Sequence, residues 1–183
     1  MDEQVLRAMA RWPNVPAVFG WLRLDRRGQW HLIDRGVPGF DEALHGAGSP
    51  ITSPPIIEFI ERNYTRDDQG RWFWQNGPQR VFVDLDVAPL IIRVLGSGAQ
   101  ARFITHCGHP FGPVQSAHLG DEGVLLLRAT QGIGAVHDLD LGALAIEQFD
   151  EALTLHIIDE QGRRALRLSN LPKPAGFERR PRP

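Results

Sequence analysis

One cysteine, one lysine and one tyrosine stand among 183 residues, and no apolar run approaches the length of a bilayer. Each scarcity excludes something. Cys107 alone cannot close a disulfide within the chain, which suits a reducing compartment. The stretch APLIIRVL at 88–95 falls far short of the ~20 residues a spanning helix needs, so no membrane association is expected. MDEQVLRAMARWPN at the N-terminus has no basic segment followed by an apolar one, so a signal peptide is not expected and the location is read as cytoplasmic. Basic charge is almost all arginine, with Lys173 the single lysine, and 20 basic residues face 22 acidic ones. A net charge of −2 offers no basic field for nucleic acid.

What is present is an ordinary soluble mixture, 42% apolar and 23% charged, in a chain long enough to bury a core without metal or disulfide staples. Val5, Leu6, Met9 and Trp12 have helical spacing, and Pro13 ends that helix. AVFGWLRLD (17–25) and QWHLI (29–33) read as a hairpin. Residues 35–50, rich in Gly and Pro, read as a long loop with one helical turn at DEALH. Ser53 as cap and Pro54 at the first position predict a helix, and Ile56, Ile57, Phe59, Ile60 and Tyr64 give it a broad apolar face. RWFWQ, Asn76-Gly77 as a type I′ turn, and the alternating QRVFVDLDV then predict a second hairpin. In that strand Val81, Val83 and Leu85 face one way, and Arg80, Phe82 and Asp84 the other.

Further on, LIIRVL and ARFITH predict a hairpin and VLLLRAT a central strand, with one short strand near Val114. DLDLGALAIEQF (138–149) predicts a helix, and ALTLHII with RRALRLS a last hairpin across DEQG. The tail LPKPAGFERRPRP is Pro/Arg-rich, lacks periodicity and is expected to be disordered. The expected fold is α+β: two small mixed domains of mainly antiparallel hairpins, each with one covering helix. The first is 1–87, the second 88–170, and the tail 171–183.

Asp-x-x-Gly followed by an apolar alternation recurs in LDRRGQWHL, TRDDQGRWFW and IDEQGRRAL. Turn chemistry alone can select that pattern. The order of elements around it also allows two halves of similar layout meeting near Ala88-Pro89.

GWLRLDRRGQW, together with SPITSPPIIEFIERNYTRDDQGRWFWQNGPQRVFVDLDVAPLIIRV, resembles a bacterial family of uncharacterised proteins defined only as a domain of unknown function. More distantly it is similar to a second such family, built as two small domains of repeated β-α-β-β units with a suggested role in signal transduction. The shared features are a Gly/Trp hairpin, Pro-Ile before a helix, an Asp-x-x-Gly hairpin and a proline junction. Leu90 stands where the second family has an aromatic after that junction. The resemblance implies a fold and brings no catalytic residues.

Chemistry-bearing clusters are few. His106, Cys107 and His109 lie within THCGHPFG, but a metal would need further ligands from His118, His137 or Asp138. Adjacent strand residues point to opposite faces, so His106 is not expected to activate Cys107. Gly132 and Gly134 sit between a predicted strand and helix, where a phosphate turn would lie, yet a third glycine is replaced by His137. Asp84/Asp86 and Asp138/Asp140 are acidic pairs two apart; the first fits a solvent-facing strand end, Asp138 or Asp140 caps the predicted helix, and no G-x-S-x-G elbow occurs. That leaves the meander's aromatic strand. Trp72 and Trp74 share one face and Phe73 the other, so a single covering helix can claim only one set.

The expected function is a non-catalytic ligand- or partner-binding regulatory module, with Trp72, Trp74, Asn76, Gln79, Arg80 and Phe82 as binding residues. No cofactor, metal or catalytic residue is assigned. Its partner would be a small molecule or a protein, a second copy included. The alternative is a small metal-assisted hydrolase using His106 and His109.

Overall fold

The computed structural model describes residues 1–159, 162–173 and 175–183. The chain divides into two units: residues 1–86 with Phe177–Pro183, and residues 87–176. The fold class is α+β, mostly strands in three sheets with few helices.

In the first unit the elements are α1 (Glu3–Arg11), β1 (Val18–Leu24), β2 (Trp30–Leu32), α2 (Glu42–His45), β3 (Ser49–Pro50), α3 (Pro54–Arg62), β4 (Tyr64–Arg66), β5 (Trp72–Asn76) and β6 (Gln79–Leu85). Local turn chemistry sets the hairpins. The Asp25 carboxylate accepts from the N–H groups of Arg27 and Gln29, and Asp67 accepts in the same way from Gln69 and Arg71. Asn76 pairs with Gln79, so the two-residue loop is Gly77-Pro78 and not Asn76-Gly77. Gly77 takes φ +57° there, the first position of a type II′ turn, and proline's fixed φ suits the second.

The sheet runs β3-β2-β1-β6-β5-β4, antiparallel except at its centre, where β1 and β6 are parallel with Leu22 opposite Val83 and Leu24 opposite Leu85. That seam is buried on both faces: Phe82 is 2% exposed and Asp84 6%, against the solvent-facing strand end expected for Asp84. α3 covers the face bearing Trp74, with Ile60 fully buried and Phe59 edge-on to Trp74 at 5.8 Å between centroids. Ser53 occupies the cap position, yet its side chain makes no capping bond. Prolines at the next two positions carry no N–H, and the N–H groups of Ile56 and Ile57 already bond to the Ser53 carbonyl. The expected donor-capping role therefore has little left to cap.

The expected disorder of the 171–183 tail is corrected for its last seven residues, which belong to the first unit. The N–H of Leu85 donates to the Arg179 carbonyl at 2.8 Å, the N–H of Glu178 donates to Gly70, and Pro181 is buried. Arg182 grips both carboxylate oxygens of Asp84, at 2.8 and 3.2 Å. A buried carboxylate needs a counter-charge, and the arginine-rich tail supplies it.

The second unit contains β7 (Leu90–Leu95), β8 (Arg102–Thr105), β9 (Ser116–Leu119), β10 (Leu125–Ala129), β11 (Gly132–Val136), β12 (Ala145–Phe149), β13 (Ala152–Asp159), β14 (Gly162–Arg167) and β15 (Ser169–Asn170). One sheet runs β15-β9-β10-β11-β7-β8 and a second β12-β13-β14. The helix expected over 138–149 does not form. Asp138–Ala143 is a 3₁₀ segment and β12 follows, pairing with β13 along all five residues. Leu139 lies 74% exposed, Gly142 weakens a helix interior, and the Asp140 carboxylate accepts the N–H of Val94 and pairs with Arg93. Among the described residues the second unit thus has no α-helix. Gly132 and Gly134 lie inside β11 and not at a strand-to-helix turn. A Cβ on Gly134 would come within 2.6 Å of the Ile92 side chain, so the parallel β7/β11 contact requires a bare backbone. In the last Asp-x-x-Gly copy Asp159 pairs directly with Gly162; the turn's Glu160 and Gln161 lie outside the described residues.

Five strands of each six-stranded sheet share one connectivity; the sixth differs, β3 lying beside the hairpin and β15 beside the meander. A hairpin (β1–β2, β7–β8) precedes a three-strand meander (β4–β5–β6, β9–β10–β11). A parallel seam joins the hairpin's first strand to the meander's last.

Candidate functional site

The β5/β6 register separates the expected binding residues. Phe73 faces Phe82 and Gln75 faces Arg80, on one side of the sheet; Trp74 faces Val81 and Asn76 faces Gln79, on the other. Arg80 and Phe82 therefore do not share a face with Trp72, Trp74, Asn76 and Gln79. Trp72 is 6% exposed and packs on Tyr64, itself edge-on to Trp30, as part of the core under α3. Phe82 stacks on Phe19 at 4.6 Å, with the Arg71 guanidinium over its ring at 4.7 Å. Arg80 covers Phe73 in the same manner, at 5.0 Å. Of the six, only Asn76 and Arg80 are exposed.

Two of them, Trp74 and Gln79, line a cavity of about 530 Å³ in the first unit. Its floor is Leu22, Ile60 and Val81, all buried. Its rim carries Trp21, Leu32 and Ile56, which are 37%, 51% and 47% exposed. The register of β1 on β6 slips between Val18 and Leu22, a bulge that lets neighbouring Trp21 and Leu22 both reach the cavity. The segment Ser49–Ser53 forms the remaining wall. Among the described residues no ionisable side chain lines the space. Trp74 Nε1 is shielded from solvent and has no hydrogen-bond partner, while Gln79 donates to the Pro16 carbonyl at 3.1 Å.

Sequence reasoning missed most of this lining. The available signal was the width of the 54–64 apolar face: of its nine helical residues only Ile60 is buried, leaving Ile56 for another contact. A second cavity, about 470 Å³, lies in the second unit among Phe103, Phe111, Val114 and Ile157, with Arg102 and Asp159 also on its wall.

The polar clusters are occupied locally. His106 and Cys107 fall in a turn, not a strand, and Cys107 Sγ lies 3.4 Å from His106 Nε2, closer than strand geometry would allow. The Ile91 N–H donates to His106 Nδ1 at 3.2 Å, which assigns the ring proton to Nε2, facing the sulfur. Burial holds the imidazole down at about 4. A neutral ring with its proton already towards sulfur is not a base for that thiol. The His109 N–H bonds to Thr105 Oγ1, and His118 sits between the hydroxyls of Ser116 and Ser169. Among the described residues no three His, Cys, Asp or Glu side chains converge as a metal-ligand set. Asp86 is paired by Arg23 and Asp84 by Arg182, so that acidic pair is two separate ion pairs. Asp138 lies beside His137, and the hydrogen bond from Arg93 leads the causes that hold the Asp140 carboxyl below its ordinary range.

No curated protein sequence matches the chain. Two solved structures resemble the chain over part of its length. A DUF1285 family protein from Silicibacter pomeroyi DSS-3 is 21% identical, covers 78% of each chain and gives a TM-score of 0.49. Another from Shewanella baltica OS155 is 16% identical, covers 65% of this chain and 85% of its own, and gives 0.43. The profile of the family DUF2944, described as a protein of unknown function (DUF2946), matches residues 1–182. The chain belongs to that family.

Proposed function

We propose that this protein is a ligand-binding module, regulatory rather than catalytic, whose first unit takes a small apolar molecule into the cavity beside α3. The observation that carries this reading is the cavity's own chemistry. About 530 Å³ falls within the range of small-molecule sites, and an apolar floor continues into exposed apolar residues at the rim. Without an ionisable side chain in its lining, the cavity holds no general acid, base or activated nucleophile, so occupancy and not turnover is its use.

The test is a titration with N-phenyl-1-naphthylamine, an uncharged dye that brightens in apolar sites. The expected result is saturable one-to-one binding that Ile56→Glu abolishes without loss of fold. Glu at that position puts a negative charge into a first helical turn that has none, so the helix dipole supports the variant's helix while the rim becomes charged. Non-saturable binding, or equal binding by the variant, contradicts the reading.

A further inference from the structure

Resting on that reading, we infer that the ligand is an uncharged amphipathic molecule: an apolar body on the cavity floor and a single hydroxyl or carbonyl end at the Thr52–Ser53 rim. Charge is excluded from two directions. The lining offers no counter-ion for either sign. The start of α3, where an anion would find free N–H groups, has none to give: Pro54 and Pro55 lack them, and Ile56 and Ile57 spend theirs on the Ser53 carbonyl. A carboxylate or ammonium entering this space would shed water and gain no counter-charge.

The polar end is placed by what remains unspent. The N–H of Ile51 donates to the Trp30 carbonyl, and the Ile51 carbonyl accepts from Gln29 Nε2 at 2.9 Å, so the backbone of Ile51 is satisfied. The side-chain hydroxyl of Ser53 makes no capping bond although it stands at the cap position. Thr52 is exposed beside it. Two adjacent hydroxyls, each able to donate or accept, therefore border a floor made of Leu22, Ile60 and Val81. A molecule matching that gradient lies with its apolar body inward and its one polar group outward.

The experiment is displacement of the bound dye by five phenylalkyl compounds: propylbenzene, 3-phenylpropan-1-ol, 4-phenylbutan-2-one, 3-phenylpropionate and 3-phenylpropylammonium. The alcohol and the ketone are expected to displace at concentrations roughly two- to tenfold below the hydrocarbon, the value of one neutral hydrogen bond, with both ions about tenfold or more weaker than the alcohol. Thr52→Val with Ser53→Ala removes the advantage of alcohol and ketone and leaves propylbenzene unchanged. An ion that displaces as well as the alcohol overturns the inference, and so does an alcohol or ketone with no advantage or one that survives the double variant. In those cases the dye still binds and the cavity reading stands; absence of dye binding removes both.

Discussion

His106 is the residue whose surroundings translate most directly into a measurement. Burial lowers its pKa to about 4, against about 6.5 for an unfolded histidine, so between those values the unfolded chain binds the extra proton. Stability is fully present above pH 6.5 and falls as pH drops towards 4, by on the order of 1–3 kcal/mol at the limit, below the full value of the shift because His106 is only half-buried. Urea unfolding across that window should show the slope, and His106→Gln should flatten it; an unchanged slope in the variant would refute the assignment. Trp74 and Gly134 make contrasting substitutions. Trp74→Phe gives up ring area but also removes a buried donor without a partner, so its cost should stay within about 1 kcal/mol. Gly134→Val drives a side chain into Ile92, which is wholly buried, and should cost about 2–3 kcal/mol in the same assay. Residue-level features that depend on near neighbours were readable in the sequence, as the Asp25 and Asp67 turns show. The burial of Asp84 was not readable, because its partner Arg182 is ninety-eight positions away.

Elements divide along the same line. The β5–β6 hairpin was readable from its alternation and turn residues, and only the loop's register slipped by one, because Pro78 takes a central position that Gly77 opens. DLDLGALAIEQF was misread, since apolar positions in so short a segment fit both periods and the deciding fact is β13 alongside. The α3 segment was readable as a helix but not as one wall of a cavity; its apolar face exceeds what the sheet can cover. Its design gives an element-scale prediction. Ile56→Glu exchanges a half-exposed apolar residue for an acidic one in the helix's first turn, where the dipole favours it, so thermal unfolding should place its stability within about 1 kcal/mol of the parent. A much larger loss would mean that Ile56 belongs to the core.

For the whole molecule, the internal echo heard in Asp-x-x-Gly was real as turn chemistry and misleading as a repeat. Its third copy lies in the β12-β13-β14 sheet, while the shared plan is a hairpin and a meander closed by a parallel seam in each unit. The order of elements did suggest two halves of similar layout, and the chain divides at Asp86/Val87; the parallel seams that close each half pair segments dozens of residues apart and leave no local signature. The tail adds to the same lesson: a Pro/Arg composition that reads as disorder is held by two backbone bonds and by the ion pair of Arg182 with the buried Asp84. Removing 177–183 strands Asp84 and should destabilise the first unit by about 1–3 kcal/mol, visible as an earlier urea midpoint.

The central claim, that the cavity between β1, α3 and β6 is a binding site, meets its most direct test in the dye titration of the intact protein beside Ile56→Glu. Saturable one-to-one binding by the parent, lost in a variant that melts at a similar temperature, is the predicted result. A parent that binds no dye, or a folded variant that binds it equally well, would contradict the account.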